Sequence, residues 1–337
     1  MNNNELRKKL IDEKSRIIFD ARINYKKDKS LMSFYNLLKR NKEIYIFREL
    51  DEYIEKSKLS MIYIWGDNDF SLYSYQVLKD AGYSVGGLIS NDSECKLRVF
   101  NFVTVDEIRQ QLDGIIIILF DRDISYVPHE VLKNAHILNL YSHVVGRTGN
   151  QYFDFFSAGE NEVFLDAGAL DGETSKKFIS WCNGNYSAVY AFEANPLMIK
   201  NCKKQLEQIV DQNKLFFYEY ALWNQEDIVC FDNSGSKWDA HVCETGETFI
   251  KANSIDNLLK DKKVTFLKFD IEGSEIRAIQ GACNCILRNR PRMAISVYHN
   301  DTDLEDIMNF FINLNLEYNF ALRHYHSDSI ETVLYVF

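Results

Sequence analysis

The chain has 337 residues, of which 46% are hydrophobic and 14% aromatic. This length predicts two domains, because single cores stop growing near roughly 250–300 residues. The 39 basic and 49 acidic side chains leave a net charge of −10, which argues against a general nucleic-acid or anionic-membrane binder.

The start of the chain, its apolar runs and its cysteines predict a cytoplasmic protein. Residues 1–16 are polar and charged and show no signal-sequence pattern, and the most apolar run, 115–120, is far too short to insert into a membrane. The seven cysteines are odd in number and include no Cys-x-x-Cys pair. This usage favours reduced thiols over disulfides or a metal cluster.

Residues 1–60 are predicted to form a helical N-terminal segment. Apolar residues such as Leu6, Leu10, Ile17 and Leu38 recur there at helical spacing. Amphipathic stretches of this kind typically cover a neighbouring domain or join two copies of a chain, which leaves a homo-oligomer open.

Residues 61–145 alternate strands with helices and are predicted to form a small Rossmann-like α/β domain. The strands are expected at 61–65, 82–89, 115–119 and 136–140, and the helices at 75–81 and 105–112. The turn after the first strand, 66–69, lacks the glycines of the dinucleotide fingerprint, and its two acids would repel a pyrophosphate. We therefore expect this domain to position an acceptor or to serve structure, with a linker following at 141–151.

Residues 149–337 are predicted to form a second α/β domain around a mostly parallel sheet with one reversed strand at its edge. An irregular or hairpin region is expected at 223–252. The expected strands are 162–166, 188–193, 215–220, 264–269, 292–298, 316–322 and 331–337, and the expected helices are 173–182, 196–210, 275–287 and 303–314.

The most informative stretch is 163–172, which reads as a buried strand, a turn with two glycines and the start of a helix. The glycines stand at Gly168 and Gly172, and the next strand ends in Glu193, an acid placed to bind ribose hydroxyls. Asp166 and Asp171 would repel a pyrophosphate but suit a cofactor with an ammonium and a sulfonium. The pattern favours S-adenosyl-L-methionine over NAD.

The predicted cofactor site combines this turn with the ends of two further strands. Glu193 is assigned to the ribose, and backbone and apolar groups after the strand at 215–220 are assigned to the adenine. The residues predicted to bind the cofactor are Asp166, Gly168, Asp171, Gly172, Thr174, Glu193, Ala221 and Leu222.

Five blocks of the second half resemble the FkbM family of S-adenosylmethionine-dependent methyltransferases. They are 163–172, 190–196, 266–275, 295–299, and 322–325 with 331–335. Two positions depart from the family pattern: Ala194 stands where proline is usual, and Leu170 where Asn or Tyr is common. The resemblance implies a Rossmann-like methyltransferase domain whose acceptor is often a hydroxyl of a sugar or sugar-bearing metabolite.

Methyl transfer to an oxygen requires a group that takes or attracts the acceptor's proton. Asp270 and His299 end two neighbouring predicted strands, where open α/β sheets bind ligands. We predict His299 as general base with Asp270 orienting it or the acceptor, while Glu272 and Lys268 complete the predicted catalytic set; Glu275 is interpreted as a helix cap. The alternative, a divalent cation held by Asp270, Glu272 and His299, is not favoured because no spacing is diagnostic.

The acceptor, a small molecule or glycan, is expected to contact residues near the ends of the later strands. Tyr298, Arg323 and His324 are predicted to bind it. For Arg323 and His324, a polar hairpin between two edge strands explains the pattern equally well.

The sequence thus predicts an O-methyltransferase acting on a carbohydrate, a nucleotide-linked sugar or a related metabolite. Two alternatives stay open. One is a non-catalytic S-adenosylmethionine-binding regulatory module, against which Asp270, Glu272 and His299 argue. The other is a nucleotide-sugar oxidoreductase using NAD, against which the acids at 166–172 argue.

Overall fold

The computed structural model describes residues 1–40, 45–90, 100–141, 150–207, 211–232, 241–243 and 248–337. The chain divides into two compact units. Unit 1 comprises Met1–Phe19, Asn150–His324 and Ile330–Phe337, and unit 2 comprises Asp20–Gly149 and Tyr325–Ser329. Within the described ranges, every helix is too short or too polar to cross a membrane. Most of the predicted linker, 142–149, lies outside the described residues.

Unit 2 contains a wholly parallel sheet of five strands, one more than the four expected, because the short strand Phe102–Val103 joins its edge. The strands are β1 (Met61–Trp65), β2 (Val85–Ile89), β3 (Phe102–Val103), β4 (Ile115–Leu119) and β5 (His136–Asn139). Their order is β3-β2-β1-β4-β5. Strand β4, which lies between β1 and β5, is a run of aliphatic residues buried throughout, as expected for a parallel strand covered on both faces.

The helices of unit 2 connect these strands or precede them. They span Met32–Lys39, Arg48–Ser57, Asp69–Asp80, Val105–Ile108 and His129–Asn134, with a 3-10 helix at Arg109–Gly114. The helix Glu13–Asp28 contributes residues to both units.

Unit 1 is built on a seven-stranded sheet. Its strands are β6 (Glu162–Ala167), β7 (Tyr186–Phe192), β8 (Leu215–Tyr218), β13 (Phe266–Phe269), β14 (Arg292–Ser296), β15 (Phe320–His324) and β16 (Thr332–Val336). Their order in the sheet is β15-β16-β14-β13-β6-β7-β8. The reversed strand is β16, antiparallel to both β14 and β15. The reversed strand was predicted at the edge of the sheet. It lies one position further in, because β15 forms the edge and pairs with β16.

The helices of the C-terminal part of unit 1 span Glu173–Trp181, Pro196–Leu206, Ile255–Leu259, Glu275–Gln280, Cys283–Asn289 and Asp303–Asn313. The single helix predicted over 275–287 is two helices. They meet at Gly281, where an added Cβ would lie 2.0 Å from the Trp223 carbonyl oxygen. The break thus lies where another segment packs directly against the helix backbone.

In the region predicted as irregular or hairpin, 223–252, the described strands belong to a second, four-stranded sheet. Its strands are β9 (Ala221–Leu222), β10 (Asp227–Asp232), β11 (His241–Cys243) and β12 (Phe249–Asn253), in the order β11-β10-β12-β9. A small apolar cluster of Ala221, Val229 and Ala252 forms its core.

Residues 1–19 pack on the edge strand β15, whereas residues 20–60 belong to unit 2. The predicted segment 1–60 is thus divided between the units. Leu10 forms a β-bridge with Phe320, the Ile11 amide donates to the Phe320 carbonyl, and the Leu322 amide donates to Ser15 Oγ at 2.9 Å. These bonds satisfy backbone groups that an open sheet edge would expose.

We expect Asp12→Asn to weaken this packing in a pH-dependent way. Burial opposes ionisation of Asp12, but hydrogen bonds from Arg323 and Ser15 outweigh it and lower the pKa to about 2. Because the folded-state pKa lies below the unfolded value of 3.8, the stabilisation is present above about pH 4 and is lost as the pH falls toward 2.

Urea unfolding measured over this pH range checks the expectation. The pair is partly exposed, so the difference between wild type and Asp12→Asn should reach at most about 1 kcal/mol, and it should vanish near pH 2. Glu13→Gln, which changes a more exposed acid, is the control. A difference that persists unchanged to the lowest pH would contradict the role of Asp12.

Candidate functional site

The turn after β6 has the backbone conformation that its glycines predict. Gly168 has φ +78° and Gly172 has φ +90°, both in the left-handed region. The amides of Gly168 and Ala169 both donate to the Phe192 carbonyl at the end of β7. An added Cβ at Gly168 would lie 1.9 Å from the Asp270 carbonyl oxygen, so only glycine lets β6 and β13 end so close together.

A buried ion pair lies directly beneath this turn. Lys268 Nζ lies 3.2 Å from Asp166 Oδ1, and the two side chains are 2% and 0% exposed. The same ammonium donates to the carbonyls of Ala167 and Gly168 at 3.0 and 2.7 Å, and Ser175 Oγ donates to Asp166 Oδ2. Burial raises the pKa of Asp166, and Lys268 and Ser175 oppose that rise.

Two predicted roles are therefore wrong. Lys268 is enclosed and holds the turn carbonyls, so it does not reach a substrate as a catalytic group. Asp166 offers no exposed carboxylate to a cofactor ammonium because Lys268 and Ser175 already occupy it. Both residues instead hold the turn in place: Lys268 donates to the turn carbonyls, and Asp166 pairs with Lys268.

Glu193 is fixed at the end of β7 by two backbone amides. Leu170 N donates to Oε2 at 2.9 Å and Asn195 N donates to Oε1 at 2.8 Å. Burial raises the pKa of Glu193, and these two amides oppose that rise. Each carboxylate oxygen keeps a second lone pair, so the predicted contact with ribose hydroxyls is compatible with this geometry and stays a prediction.

The other predicted cofactor residues surround the turn or lie in the small sheet. Asp171 and Thr174 are half-buried at the start of the helix Glu173–Trp181. Ala221 and Leu222 are almost fully buried, and the Ala221 side chain belongs to the core of the four-stranded sheet. The methyl group of Ala221 is thus packed within the protein, and the predicted contact of this segment with adenine stays a prediction.

Asp270, at the end of β13, accepts hydrogen bonds from two tyrosine hydroxyls. Tyr152 donates to Oδ2 at 2.8 Å and Tyr298 donates to Oδ1 at 3.2 Å. Burial alone would raise the pKa of Asp270, but the Lys268 and His299 cations and the hydrogen bond from Tyr152 lower it. Tyr298 thus lies beside Asp270, and its predicted contact with the acceptor stays a prediction. Tyr152, 118 positions away from Asp270, was not identified from the sequence.

His299 is surrounded by carboxylates. Its Nε2 lies 3.2 Å from Glu272 Oε2 and 3.7 Å from Asp270 Oδ1, and its Nδ1 lies 2.9 Å from Glu275 Oε1. Burial disfavours the charged ring, but Glu275, Glu272 and Asp270 outweigh it and raise the pKa of His299 to about 11. The raised pKa favours the protonated ring, which cannot accept a further proton, and the role of His299 as general base stays a prediction.

Glu275 is more than the helix cap inferred from its position. Its side chain is fully buried, and Oε1 accepts the Ile271 amide at 2.8 Å while facing His299. Ligand atoms of Asp270, Glu275 and His299 all lie within 4.8 Å of one another, a spacing that a metal ion requires. The signal in the sequence was the run of three acids at 270–275.

Arg323 and His324 do not join this cluster. Arg323 pairs with Asp12 at 2.8 Å and donates to Ser15 Oγ at 3.1 Å. His324 is buried with its Nδ1 2.9 Å from Thr332 Oγ1. The N-terminal residues and the β15–β16 pair thus hold both side chains, in agreement with the polar-hairpin alternative, and their contact with an acceptor stays a prediction.

One protein-family model matches the part of the chain that carries this site. Residues 166–322 match the family model of the methyltransferase FkbM domain. Curated protein sequences give no significant match.

Two solved structures similar to this chain are a methyltransferase FkbM from Methylobacillus flagellatus KT and a fibrillarin from Aeropyrum pernix. The first is 17% identical, with a TM-score of 0.54, over 94% of this chain and 100% of that one. The second, solved with natively bound S-adenosyl-L-methionine, is 13% identical, with a TM-score of 0.37, over 54% of this chain and 69% of that one.

Proposed function

Because the C-terminal half of the chain carries an FkbM methyltransferase domain, we propose that unit 1 transfers a methyl group from S-adenosyl-L-methionine to a hydroxyl of a carbohydrate or sugar-bearing metabolite. One observation carries the proposal. The glycine turn fixed by Glu193 adjoins the Asp270 cluster, since Gly168 packs against the Asp270 carbonyl. A donor on the turn and an acceptor beside Asp270 would therefore meet at one edge of the sheet.

In this reaction the acceptor hydroxyl gives up its proton, ultimately to water, as its oxygen bonds to the methyl carbon. The carbon–sulfur bond breaks, its electron pair stays on sulfur, and S-adenosylhomocysteine leaves as a neutral thioether. Orientation of the two reactants supplies much of the acceleration. The Asp270 carboxylate, held by Tyr152 and Tyr298, is the group that would receive a hydrogen bond from the acceptor.

Binding of S-adenosylhomocysteine tests the cofactor assignment. It should raise the melting temperature of the full chain, since a ligand that binds only the folded state stabilises it, whereas NAD should not. An NAD shift without an S-adenosylhomocysteine shift would favour an oxidoreductase and would contradict the proposal.

Glu193→Gln should weaken S-adenosylhomocysteine binding. Hydrogen bonds to charged groups contribute roughly 1.5–3 kcal/mol, so the dissociation constant should rise by about one to two orders of magnitude. The control is Glu219→Gln, which changes an exposed acid just beyond β8. Equal affinity in Glu193→Gln, Glu219→Gln and wild type, measured by calorimetry, would place the ribose elsewhere.

The acceptor class is tested with S-adenosylmethionine labelled in its methyl group. Free monosaccharides, nucleotide-linked sugars and extracted metabolites are offered to the full chain, and labelled products are identified by mass spectrometry. Label on a sugar oxygen supports the proposal. Label on a nitrogen or carbon acceptor contradicts the acceptor class, and cofactor binding without transfer to any acceptor favours a regulatory module.

A further inference from the structure

Two carboxylate oxygens lie close to His299 Nε2 at the ends of β13 and β14. His299 Nε2 lies 3.2 Å from Glu272 Oε2 and 3.7 Å from Asp270 Oδ1. Donors in adjacent positions around a cation at about 2.1 Å are about 3.0 Å apart in an octahedral site, and about 3.4 Å apart in a tetrahedral one. Both observed separations from Nε2 lie close to these values, as a cation shared by the ring and the two carboxylates would require.

The ring of His299 is aimed into this group without a normal hydrogen bond. Its side chain is 9% exposed, and neither ring nitrogen has a hydrogen-bond partner of normal geometry among the described residues. A buried imidazole with acids on both sides requires either a proton on each nitrogen or a metal on one of them. The site is therefore more than a cluster of acids, because an imidazole nitrogen, which also binds divalent cations, faces the carboxylate oxygens.

Glu275 occupies the position of a supporting carboxylate on the opposite side of the ring. Its Oε1 lies 2.9 Å from His299 Nδ1 and is held by the Ile271 amide. Metal-bound histidines usually present their second nitrogen to a carboxylate, which fixes the ring orientation. The Oε2 atom of Glu275 is buried and has no hydrogen-bond partner among the described residues.

The charges nearby also favour a bound cation. Three carboxylates surround His299, and Asp303, which is 2% exposed, adds a fourth carboxyl group close to Glu275. Like charges gathered in a partly buried site destabilise one another unless they are compensated.

We propose that this cluster binds a divalent cation, with His299 Nε2, Asp270 and Glu272 as protein ligands and Glu275 orienting the ring. One nitrogen and two carboxylate donors suit the Mn²⁺, Fe²⁺ and Zn²⁺ class. The catalytic consequence rests on the proposed function: a cation here would lower the pKa of the acceptor hydroxyl beside Asp270. This reverses the preference drawn from the sequence, where the role of Glu275 was not evident.

Manganese alone tests the proposal on the full chain after chelator treatment. We expect one Mn²⁺ to bind per chain, measured by loss of the free-ion electron paramagnetic resonance signal, and to raise the melting temperature. Glu272→Gln and His299→Gln should each lower the affinity at least about tenfold. Asp171→Asn, a half-buried acid of the cofactor turn, should bind as wild type does.

Three outcomes would overturn the proposal: no stoichiometric binding, unchanged affinity in both ligand variants, or an equal loss in Asp171→Asn. Glu272 is about one-third exposed, so its isosteric replacement is expected to fold, and circular dichroism checks this. S-adenosylhomocysteine binding is measured separately without metal. Cofactor binding without Mn²⁺ binding would overturn the cation alone, whereas Mn²⁺ binding without cofactor binding would contradict the proposed transfer.

Discussion

Lys268→Met is expected to destabilise unit 1 by about 3–5 kcal/mol, because it leaves Asp166 buried without its cation. The substitution also removes the donor for the Ala167 and Gly168 carbonyls. For a unit of this size the loss corresponds to a melting-temperature decrease of roughly 6–20 °C. Since those carbonyls begin the glycine turn, binding of S-adenosylhomocysteine should be lost as well.

Two further variants distinguish the effect of leaving Asp166 buried without a cation from the effect of replacing any lysine. Lys203→Met changes an exposed lysine paired with Glu207 and should alter stability by no more than about 0.5 kcal/mol. The double variant Asp166→Asn with Lys268→Met removes both charges and should be more stable than Lys268→Met alone. Chemical unfolding of all three gives the comparison, and a Lys268→Met protein as stable as Lys203→Met would contradict the structural role of the pair.

The strand–turn–helix pattern at 163–172 was sufficient to predict the glycine turn, because its glycines and buried strand are local features. The juxtaposition of Asp270 and His299 also followed from the sequence, since both end neighbouring strands of a parallel sheet. The structure confirms that β13 and β14 pair in parallel. Local patterns therefore identified which strand ends carry the site.

Side-chain roles that depend on register or on distant segments could not be predicted. Lys268 is the direct cross-strand partner of Asp166, a pairing that no spacing in the sequence specifies. Arg323 pairs with Asp12, 311 positions away. The pKa of His299 is raised because Glu272 and Glu275 both face its ring, whereas the sequence alone suggested a cap for Glu275.

Gly168→Ala should disrupt the glycine turn at 168–172 and, with it, the cluster formed by Asp270, Glu272, Glu275 and His299. The added Cβ would lie 1.9 Å from the Asp270 carbonyl oxygen and 3.2 Å from Ile271 Cγ2, so the ends of β6 and β13 must move apart. Alanine at φ +78° adds a backbone cost of about 1–2 kcal/mol. We expect loss of S-adenosylhomocysteine binding and a destabilisation greater than the backbone cost alone.

Gly184→Ala provides the matched control. Gly184 has φ +75° and nothing within 4 Å of an added Cβ, so this variant has the same backbone strain without the clash. It should lose about 1–2 kcal/mol of stability and bind S-adenosylhomocysteine as wild type does. The difference between the two variants in urea unfolding and in calorimetry isolates the contact with Asp270. Equal stability and equal affinity in both would mean that β6 and β13 can separate without consequence, and the close approach at Gly168 would then not be what aligns the turn with Asp270.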